Sequence, residues 1–244
     1  MIFKPFYAYG RGCAGYLLGC AGEGLALAVD PLEEDVDAYL AFAAEHGLRI
    51  TWVVDTHVHA DHRSGARELA ARAGARYGLH READVAFPFE PLEDGQALVV
   101  GKVEAQVLHT PGHTPESLCL LVTDRRRGPE PWMVLTGDTL FSGGVGRPDL
   151  PGRAREDAAR LHESLHRKLL TLPDWVEVHP GHFGGSACGA GLSGKPMSTV
   201  GFERRHQPLL GLDREAFVAR LLETLPERPA HMEAILRFNQ GRAA

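Results

Sequence analysis

The spacing of apolar positions in the first part of the chain changes from that of strands to that of helices. Apolar runs at residues 14–18 and 25–29 predict two strands joined by a glycine-containing turn. Apolar positions between residues 36 and 44 then follow helical spacing, and Gly47 stands where a helix C-cap is expected. The region therefore begins as a β-hairpin and continues into a covering helix.

A second strand and helix follow directly. The continuous apolar run at residues 50–54 predicts a buried strand. A helix is expected from about Ser64 to Ala73, closed by Gly74. Strands and helices that alternate with short connections indicate an α/β layered fold.

The middle of the chain is rich in short β segments. We predict strands at residues 97–100, 103–109, 117–123 and 132–136. A long helix follows, with Ala158, Leu161, Leu165 and Leu169 on one apolar face. The last predicted strand, at residues 175–178, leads into Pro180-Gly181-His182.

The C-terminal part reads as a loop followed by helices. Residues 183–197 are rich in Gly, Ser and Ala and predict an ordered loop. Asp213 is a candidate N-cap for a helix that carries Phe217, Leu221 and Leu225, and a short helix is expected at residues 232–236. No repeat or linker divides the chain, so we expect one domain over residues 1–244 with a helical extension from about 198 to 244.

Composition narrows the class of protein. The net charge of −6 is spread along the chain without a basic stripe, which disfavours a nucleic-acid partner. The first residues lack the pattern of a signal peptide and no apolar run reaches the length of a membrane span, so no membrane partner and a cytoplasmic location are expected. The 4 cysteines form no CxxC pair, which favours neither a disulfide framework nor a cysteine-ligated structural zinc.

The sequence His57-Val58-His59-Ala60-Asp61-His62 follows the buried strand and concentrates metal-ligand side chains. Side chains two residues apart on extended backbone point the same way, so His57 and His59 are able to converge on one ion. A turn into the next helix would bring Asp61 and His62 to a neighbouring point. Packing alone gives no reason to crowd titratable groups here, whereas metal coordination does.

Further ligand types follow other predicted strands. His113 comes after Pro111-Gly112, Asp138 after Gly137, and His182 after Pro180-Gly181. Ligands delivered by separate strand ends predict a metal site along one edge of a sheet. His109 and His179 alternate with apolar strand residues and are expected to be hydrogen-bonded core groups. Five further histidines are expected to be solvated: His46, His80, His162, His166 and His231.

The motifs HxHxDH, PGH, GD and PGH, in this order, resemble the metallo-β-lactamase superfamily over about residues 10–185. The resemblance implies an αββα sandwich of two mixed β-sheets flanked by helices, with the metal site at one edge. In two-metal members, one ion would be held by His57, His59 and His113. The second would be held by Asp61, His62 and His182, with Asp138 bridging. Asp61 and Asp138 are the catalytic carboxylates that the resemblance implies.

Two segments, residues 137–150 and 198–205, resemble persulfide dioxygenases and the bacterial proteins in which such a domain is fused to rhodanese domains. Residues 185–189 are most similar to the fused group. These relatives imply a single Fe(II) held by His57, His113 and Asp138. Two histidines and one carboxylate with open positions form the facial triad suited to Fe(II) and dioxygen. The residues around this triad would then be His59, Asp61, His62 and His182.

The first functional hypothesis is therefore Fe(II)-dependent oxidation of a low-molecular-weight thiol persulfide to sulfite and the free thiol. Since the chain ends near residue 244, a rhodanese would have to act in trans as sulfur donor. Arg147 and Arg205 are candidates to bind substrate carboxylates. Cys188 is a candidate to lie near the substrate sulfur, although a buried, inert cysteine is the ordinary alternative.

Other hypotheses remain open at this stage. Zinc-dependent thioester hydrolysis, as in hydroxyacylglutathione hydrolases, would use two Zn(II) ions and the same ligands. A metal-carrying, sulfur-binding partner protein is a non-enzymatic alternative. Ligand identity does not decide between iron and zinc. An apolar face on the C-terminal helices is compatible with a homodimer, but core burial explains the same residues.

Overall fold

Two mixed β-sheets lie face to face in the computed structural model, which describes residues 1–242. In spatial order, the first sheet contains β1 (Ile2–Ala8), β2 (Cys13–Cys20), β3 (Leu25–Val29), β4 (Arg49–Val54), β5 (Arg76–His80) and β6 (Glu90–Leu92). The second contains β12 (Ser198–Thr199), β11 (Glu177–Pro180), β10 (Met133–Gly137), β9 (Leu118–Asp124), β8 (Val103–His109) and β7 (Ala97–Val100). The predicted sandwich of two mixed sheets is confirmed.

The parallel strand pairs lie where the candidate metal ligands are expected. In the first sheet, β3 to β6 run parallel, whereas β1, β2 and β3 are antiparallel. In the second sheet, β10 and β11 are the parallel pair. The carboxyl ends of β4, β10 and β11 therefore open toward one edge of the sandwich, where polar side chains from several strands meet.

The described part of the chain contains six α-helices. Their bounds are α1 (Val36–Glu45), α2 (Ala66–Ala73), α3 (Ala154–Ser164), α4 (Val200–His206), α5 (Arg214–Glu223) and α6 (Met232–Asn239). The first two pack on the outer face of the first sheet, through residues such as Tyr39 and Leu69. The third and fifth pack together over the second sheet, through Leu161 and Phe217.

The central strands β2, β3, β9 and β10 are buried on both faces, and the pleat decides which layer each side chain joins. Leu18 and Leu27 point into the core between the sheets, while their neighbours Leu17 and Ala28 point outward to the helices. Side chains alternate between the two faces with period two, so continuous apolar runs are what this fold requires. The same pattern explains why the apolar runs in the sequence predicted these strands.

The long predicted helix is confirmed, with a local change of geometry. After α3, a π-helical turn at Leu165–Leu169 continues the same direction. The four apolar positions expected on one face are all fully buried: Ala158, Leu161, Leu165 and Leu169.

The Asp213 carboxylate accepts a hydrogen bond from the Ala216 N–H at 2.9 Å and caps α5 as predicted. That helix ends at Glu223, so Leu225 lies beyond it.

Other boundaries differ from prediction. Strand β1 was not predicted, and its Pro5 is atypical of a central strand. The strand lies at the sheet edge, where proline is tolerated. The strand expected from Trp175 begins at Glu177, and Trp175 is exposed. The C-terminal helix extends to Asn239. None of the helices within residues 1–242 is long and apolar enough to cross a membrane.

The buried face of the covering helix sets a first prediction. Replacing Leu165 with Ala should lower the free energy of unfolding by about 2–5 kcal/mol, because it removes a fully buried side chain from packed surroundings. Urea denaturation followed by circular dichroism measures this change. Val99→Ala, at a position 56% exposed, is the control and should stay within about 0.5 kcal/mol of the parent. Equal effects of the two changes would contradict the packing described.

Candidate metal centre

Loops from both sheets are tied together at the edge of the sandwich. The Leu118 N–H donates to the Thr56 carbonyl at 2.9 Å, which joins the loop after β4 to the second sheet. The Gly181 N–H donates to the Gly137 carbonyl, also at 2.9 Å. These bonds bring the seven predicted ligands together with little exposure to solvent: His57, His59, Asp61, His62, His113, Asp138 and His182.

Three of these residues form a compact triad. The Asp138 Oδ2 atom lies 3.4 Å from His113 Nε2 and 3.9 Å from His57 Nε2. Two ligand atoms bonded to one ion at about 2.1 Å are separated by at most about 4.2 Å, so these distances fit a shared ion. His113 Nε2 and Asp138 Oδ2 are buried and have no hydrogen-bond partner in the described structure. The triad of His57, His113 and Asp138 therefore fits a metal ion.

Hydrogen bonds on the far side of each ligand fix its orientation. The His57 Nδ1–H donates to Thr56 Oγ1 at 3.1 Å, and the His113 Nδ1–H donates to the Arg147 carbonyl at 2.8 Å. Each bond leaves the Nε2 lone pair free. His182 Nδ1–H donates to Asp138 Oδ1 at 2.6 Å, which leaves Oδ2 toward the triad. Such contacts select the tautomer and direction of metal ligands.

The protonation states suit coordination. Burial, together with the neighbouring His59, holds the pKa of His57 well below its usual value, so the imidazole is neutral. Burial raises the pKa of Asp138, but the charge and hydrogen bond of His182 outweigh it and hold that pKa below its usual range. Neutral imidazoles and an ionised carboxylate are the forms that bind metal.

Asp30 organises the loop after β4 and was not predicted. Its carboxylate accepts hydrogen bonds from the Thr56 N–H at 2.7 Å, the Thr56 hydroxyl at 2.9 Å and His59 Nε2 at 3.1 Å. Asp30 has a φ of 48°, in the left-handed region that Asp tolerates better than most residues. In the sequence, the only sign of this role is the position of Asp30-Pro31 at the end of a strand.

His59 faces a different group from His57. Its ligand atom lies within 4.8 Å of carboxylate oxygens of Asp30 and Asp55, and this set is separate from the triad. The Nδ1 atom of His59 is buried without a hydrogen-bond partner. The structure therefore places His59 beside the triad, held by carboxylates on its Nε2 side.

A second cluster joins Asp61, His62 and His182 with Cys13, which the sequence analysis missed. Asp61 Oδ2 accepts from His182 Nε2 at 2.7 Å and lies 3.0 Å from His62 Nδ1 and 3.6 Å from Cys13 Sγ. Ligand atoms of all four residues lie within 4.8 Å of one another. Cys13 precedes HxHxDH by more than forty residues, so local spacing gave no sign of it.

The C-terminal helix holds the HxHxDH loop from outside. The Asn239 side-chain amide donates to the carbonyls of His59 and His62, both at 2.8 Å, and accepts from the Ser64 N–H at 3.0 Å. Asn239 is buried at this contact. A residue near the end of the chain thus completes the support of the first motif, which no sequence pattern indicated.

The two arginines predicted for substrate binding lie elsewhere. The buried Arg147 guanidinium forms a paired salt bridge with Asp149 at 2.7 and 2.9 Å and donates to the carbonyls of Ala187 and Pro226. Arg147 therefore joins loops around the site and does not offer its guanidinium to a substrate carboxylate, as was predicted. Arg205 is exposed and pairs with Asp174, which precedes β11 at the end opposite to His182. The structure does not bring Arg205 to the metal centre.

Cys188 is close to the centre, as the sequence analysis proposed, but it is buried. Its sulfur lies within 4.8 Å of ligand atoms of Asp138 and His182. Burial raises the pKa of the Cys188 thiol to about 12, so the thiol is protonated at neutral pH. Apolar side chains surround it, including Phe141 and Met232.

Comparison with known proteins agrees with this geometry. The chain matches the metallo-beta-lactamase superfamily over residues 8–182. It is 34% identical to a hydroxyacylglutathione hydrolase of Anaeromyxobacter dehalogenans, over 96% of this chain and 97% of that protein. It is 31% identical to the mitochondrial persulfide dioxygenase ETHE1 of Bos taurus, over 83% of this chain and 73% of that protein.

Solved structures show the same similarity. ETHE1 from Myxococcus xanthus is 33% identical, with a TM-score of 0.85 and 98% of both chains covered. A metallo-beta-lactamase from Staphylococcus aureus is also 33% identical, with a TM-score of 0.91 over 98% of this chain and 72% of that one. TTHA1623, solved in a di-iron-bound form, is 31% identical, with a TM-score of 0.63 over 85% of this chain and 100% of that one.

The contacts of Asp30 lead to a prediction about metal affinity. Asp30→Asn should weaken metal binding about 10–100-fold, because it weakens the support of His57, through Thr56, and of His59. Competition with a chromophoric chelator measures the change. Asp37→Asn, at an exposed carboxylate on α1, is the matched control and should bind metal like the parent. Unchanged affinity in Asp30→Asn would show that the contact does not support the ligands.

His80 predicts an acid-sensitive contribution to stability. It was expected to be solvated, but it is buried and stacks on His109 with ring centroids 3.7 Å apart. Burial and the neighbouring His109 lower the pKa of His80 to about 4. Between about pH 6.5 and pH 4 the unfolded chain therefore binds a proton that the folded protein does not. The free energy of unfolding decreases as the pH is lowered through this window.

Denaturation at a series of pH values tests this contribution. His80→Gln should show a shallower loss of stability than the parent between about pH 6.5 and pH 4. His46→Gln, on the exposed end of α1, is the control and should follow the parent curve. Identical slopes for all three proteins would rule out His80 as the source.

Proposed function

The chain belongs to the metallo-β-lactamase superfamily, and from this premise we propose that it is an Fe(II)-dependent dioxygenase that converts a low-molecular-weight thiol persulfide to sulfite and the free thiol. The observation that carries the proposal is the separate triad of His57, His113 and Asp138. Two histidines and one carboxylate leave several coordination positions open, as non-haem iron chemistry with dioxygen requires.

The surroundings of the triad support one ion rather than a shared pair. His182 uses both ring nitrogens for hydrogen bonds to Asp138 and Asp61, at 2.6 and 2.7 Å. His59 is engaged with Asp30 through Nε2. Neither imidazole presents a ring nitrogen as part of the triad group. The remaining members of the HxHxDH motif therefore act as supports for the three ligands on this reading.

The protein's own part in the reaction is positioning and exclusion of water. An Fe(II) ion held by the triad would supply the redox chemistry with dioxygen. The His113 and Asp138 side chains are fixed by Arg147 and His182, so the ligand set is rigid before substrate arrives. Apolar groups around Cys188 keep the neighbourhood of the reacting sulfur dry.

Two relatives support this substrate class. ETHE1 of Bos taurus is a persulfide dioxygenase, and the Anaeromyxobacter relative acts on a hydroxyacylglutathione. Both names concern sulfur-linked substrates, and we extend the first to this chain. A rhodanese acting in trans is the proposed sulfur donor.

Zinc-dependent thioester hydrolysis is the second candidate. It is favoured by the cluster around Asp61, by the free Nδ1 of His59 and by the nearly full-length similarity to a hydroxyacylglutathione hydrolase. Two zinc ions would lower the pKa of a shared water to near neutrality and polarise a thioester carbonyl. This reading requires that the second cluster hold an ion with an open position.

Metal content and oxygen uptake test the proposal. Protein purified without chelators is analysed for iron and zinc, reconstituted anaerobically with Fe(II), and assayed for oxygen uptake and sulfite with glutathione persulfide. We expect about one catalytic iron per chain and persulfide-dependent uptake, since the triad provides one such position. His57→Gln should abolish uptake, because it removes a ligand. His62→Gln should retain uptake to within roughly tenfold, because on this reading it only supports the ligands.

Thioester hydrolysis is measured in parallel on lactoylglutathione with zinc-loaded protein. Hydrolysis by the parent, lost in both variants, together with no oxygen uptake after iron loading, would overturn the dioxygenase proposal. Uptake that disappears equally in both variants would argue against a single-iron triad.

A further inference from the structure

A cavity of about 440 Å³ lies between α5, the segment that connects it to α4, and two loops that follow strands of the second sheet. We propose that it binds a small apolar molecule that carries a hydrogen-bond donor next to an acceptor, as a carboxamide or an adenine ring does. The buried side-chain amide of Gln207 would pair with that edge. The proposal does not depend on the dioxygenase activity. We call this site the Gln207 cavity.

The Gln207 cavity is enclosed by elements other than those that carry the metal ligands. Gly143 and Val145 follow β10, Ala190 and Gly191 follow β11, and residues 207–212 connect α4 to α5. The apolar part of the wall is formed by Val145, Ala190, Pro208, Leu209, Leu212 and Leu221. Among the described residues, none of the seven candidate metal ligands lines the cavity. Its volume falls within the range of about 300–1,000 Å³ that is typical of small-molecule sites.

Gln207 contributes an unpaired amide to this wall. The residue is 5% exposed, and neither the oxygen nor the nitrogen of its side-chain amide has a hydrogen-bond partner in the described structure. Buried polar side chains are normally paired, because an unpaired one costs free energy. A group that is both donor and acceptor would satisfy the two atoms at once. The amide therefore indicates a missing ligand with such an edge.

The backbone fixes Gln207 at the end of α4. The Gln207 N–H donates to the Glu203 carbonyl at 2.9 Å, and the Gln207 carbonyl accepts from the Leu210 N–H at 3.1 Å. A 3₁₀ turn, Pro208–Gly211, follows directly. Main-chain contacts on both sides therefore set the position of the residue before any ligand binds.

Other polar groups around the cavity are already paired. The Glu203 carboxylate, one turn before Gln207, accepts from the Gly143 N–H at 3.0 Å and from the Ser198 hydroxyl at 2.5 Å. The Thr224 hydroxyl, also in the wall, donates to a backbone carbonyl of α5 at 3.0 Å. The partner of the Gln207 amide is therefore expected from outside the chain.

Small residues keep the cavity open on the side of the two loops. Gly143 and Gly191 have φ of 89° and 71°, in the left-handed region that favours glycine. Ala190, beside Gly191, adds one methyl group to the wall. Backbone and a methyl group thus form this part of the wall, and they leave room that a larger side chain at Ala190 would occupy.

The chemistry of the amide defines the ligand class. A glutamine side chain offers N–H donors beside a carbonyl acceptor. A primary carboxamide pairs with it through two hydrogen bonds, and adenine does so through N6 and N7. The apolar wall would hold the rest of the molecule. A carboxylate offers acceptors alone and a hydrocarbon offers neither group, so both are poorer complements.

Nuclear magnetic resonance tests the Gln207 cavity directly. The full chain, labelled with ¹⁵N and loaded with diamagnetic Zn²⁺, is titrated separately with benzamide, adenine, benzoate and toluene. The side-chain NH₂ resonances of Gln207, identified by their loss in Gln207→Leu, should shift with benzamide or adenine. The better of these two should bind at least about tenfold more tightly than benzoate or toluene, because two hydrogen bonds are gained. Preference for benzamide indicates a carboxamide ligand, and preference for adenine indicates a nucleobase.

Variants assign the binding to the cavity. Gln207→Leu should weaken benzamide and adenine binding by about tenfold or more and leave toluene binding within about twofold, because the amide is removed and an apolar side chain is kept. Ala190→Leu should abolish binding of the probes by filling the cavity while Gln207 is retained, and it decides the question if Gln207→Leu fails to fold. Gln106→Leu on β8, outside the cavity, is the matched control and should bind the probes like the parent.

Three results would overturn the proposal: no probe shifts the Gln207 resonances, benzoate or toluene binds as tightly as both amide-edged probes, or Gln207→Leu binds the probes like the parent. The first result would mean that water alone occupies the cavity. Oxygen uptake is measured separately on iron-loaded protein. Probe binding without uptake would refute the dioxygenase proposal and support the Gln207 cavity, and uptake without probe binding would do the reverse.

Discussion

The burial of uncompensated ligand atoms at one edge of the sandwich is the constraint on which the rest of the structure depends. His113 Nε2, Asp138 Oδ2 and His62 Nε2 are withdrawn from water without a hydrogen-bond partner in the described residues. Desolvating such groups costs free energy unless an ion or a polar contact compensates. The surrounding framework has to supply enough packing energy to hold them there, and it does so with central strands that are buried on both faces.

That framework fixes ligands by contacts behind them. Asp30 adopts a left-handed conformation in order to reach Thr56 and His59, and Asn239 holds the same loop from the last helix. A non-glycine residue with positive φ is retained when its contacts outweigh the local strain. The hydrogen bond from His113 to the Arg147 carbonyl ties a further loop to the triad. The centre is thus rigid because elements distant in sequence converge on it.

Asp138 connects the chemistry of the two clusters. One oxygen belongs with His57 and His113, and the other accepts a hydrogen bond from His182. This division keeps the triad apart from the cluster of Cys13, Asp61, His62 and His182. Similarity alone leaves the reaction open, because the relatives include both a hydroxyacylglutathione hydrolase and a persulfide dioxygenase. The contacts behind each candidate ligand decide which ring nitrogen is free.

The sequence by itself determined the layered fold, because the periods of strands and helices are local features of the chain. It also predicted the candidate ligand positions, because residue types that bind metal follow the ends of predicted strands. The tertiary structure alone decided how those ligands are grouped. Cys13 and Asn239 join the centre across long sequence separations, and no periodic pattern encodes such contacts. Arg147 was misread for a related reason: its charge suggested a substrate carboxylate, but packing buried it against Asp149 and backbone carbonyls. Residue type limits the chemistry available to a side chain, and long-range packing selects its partner.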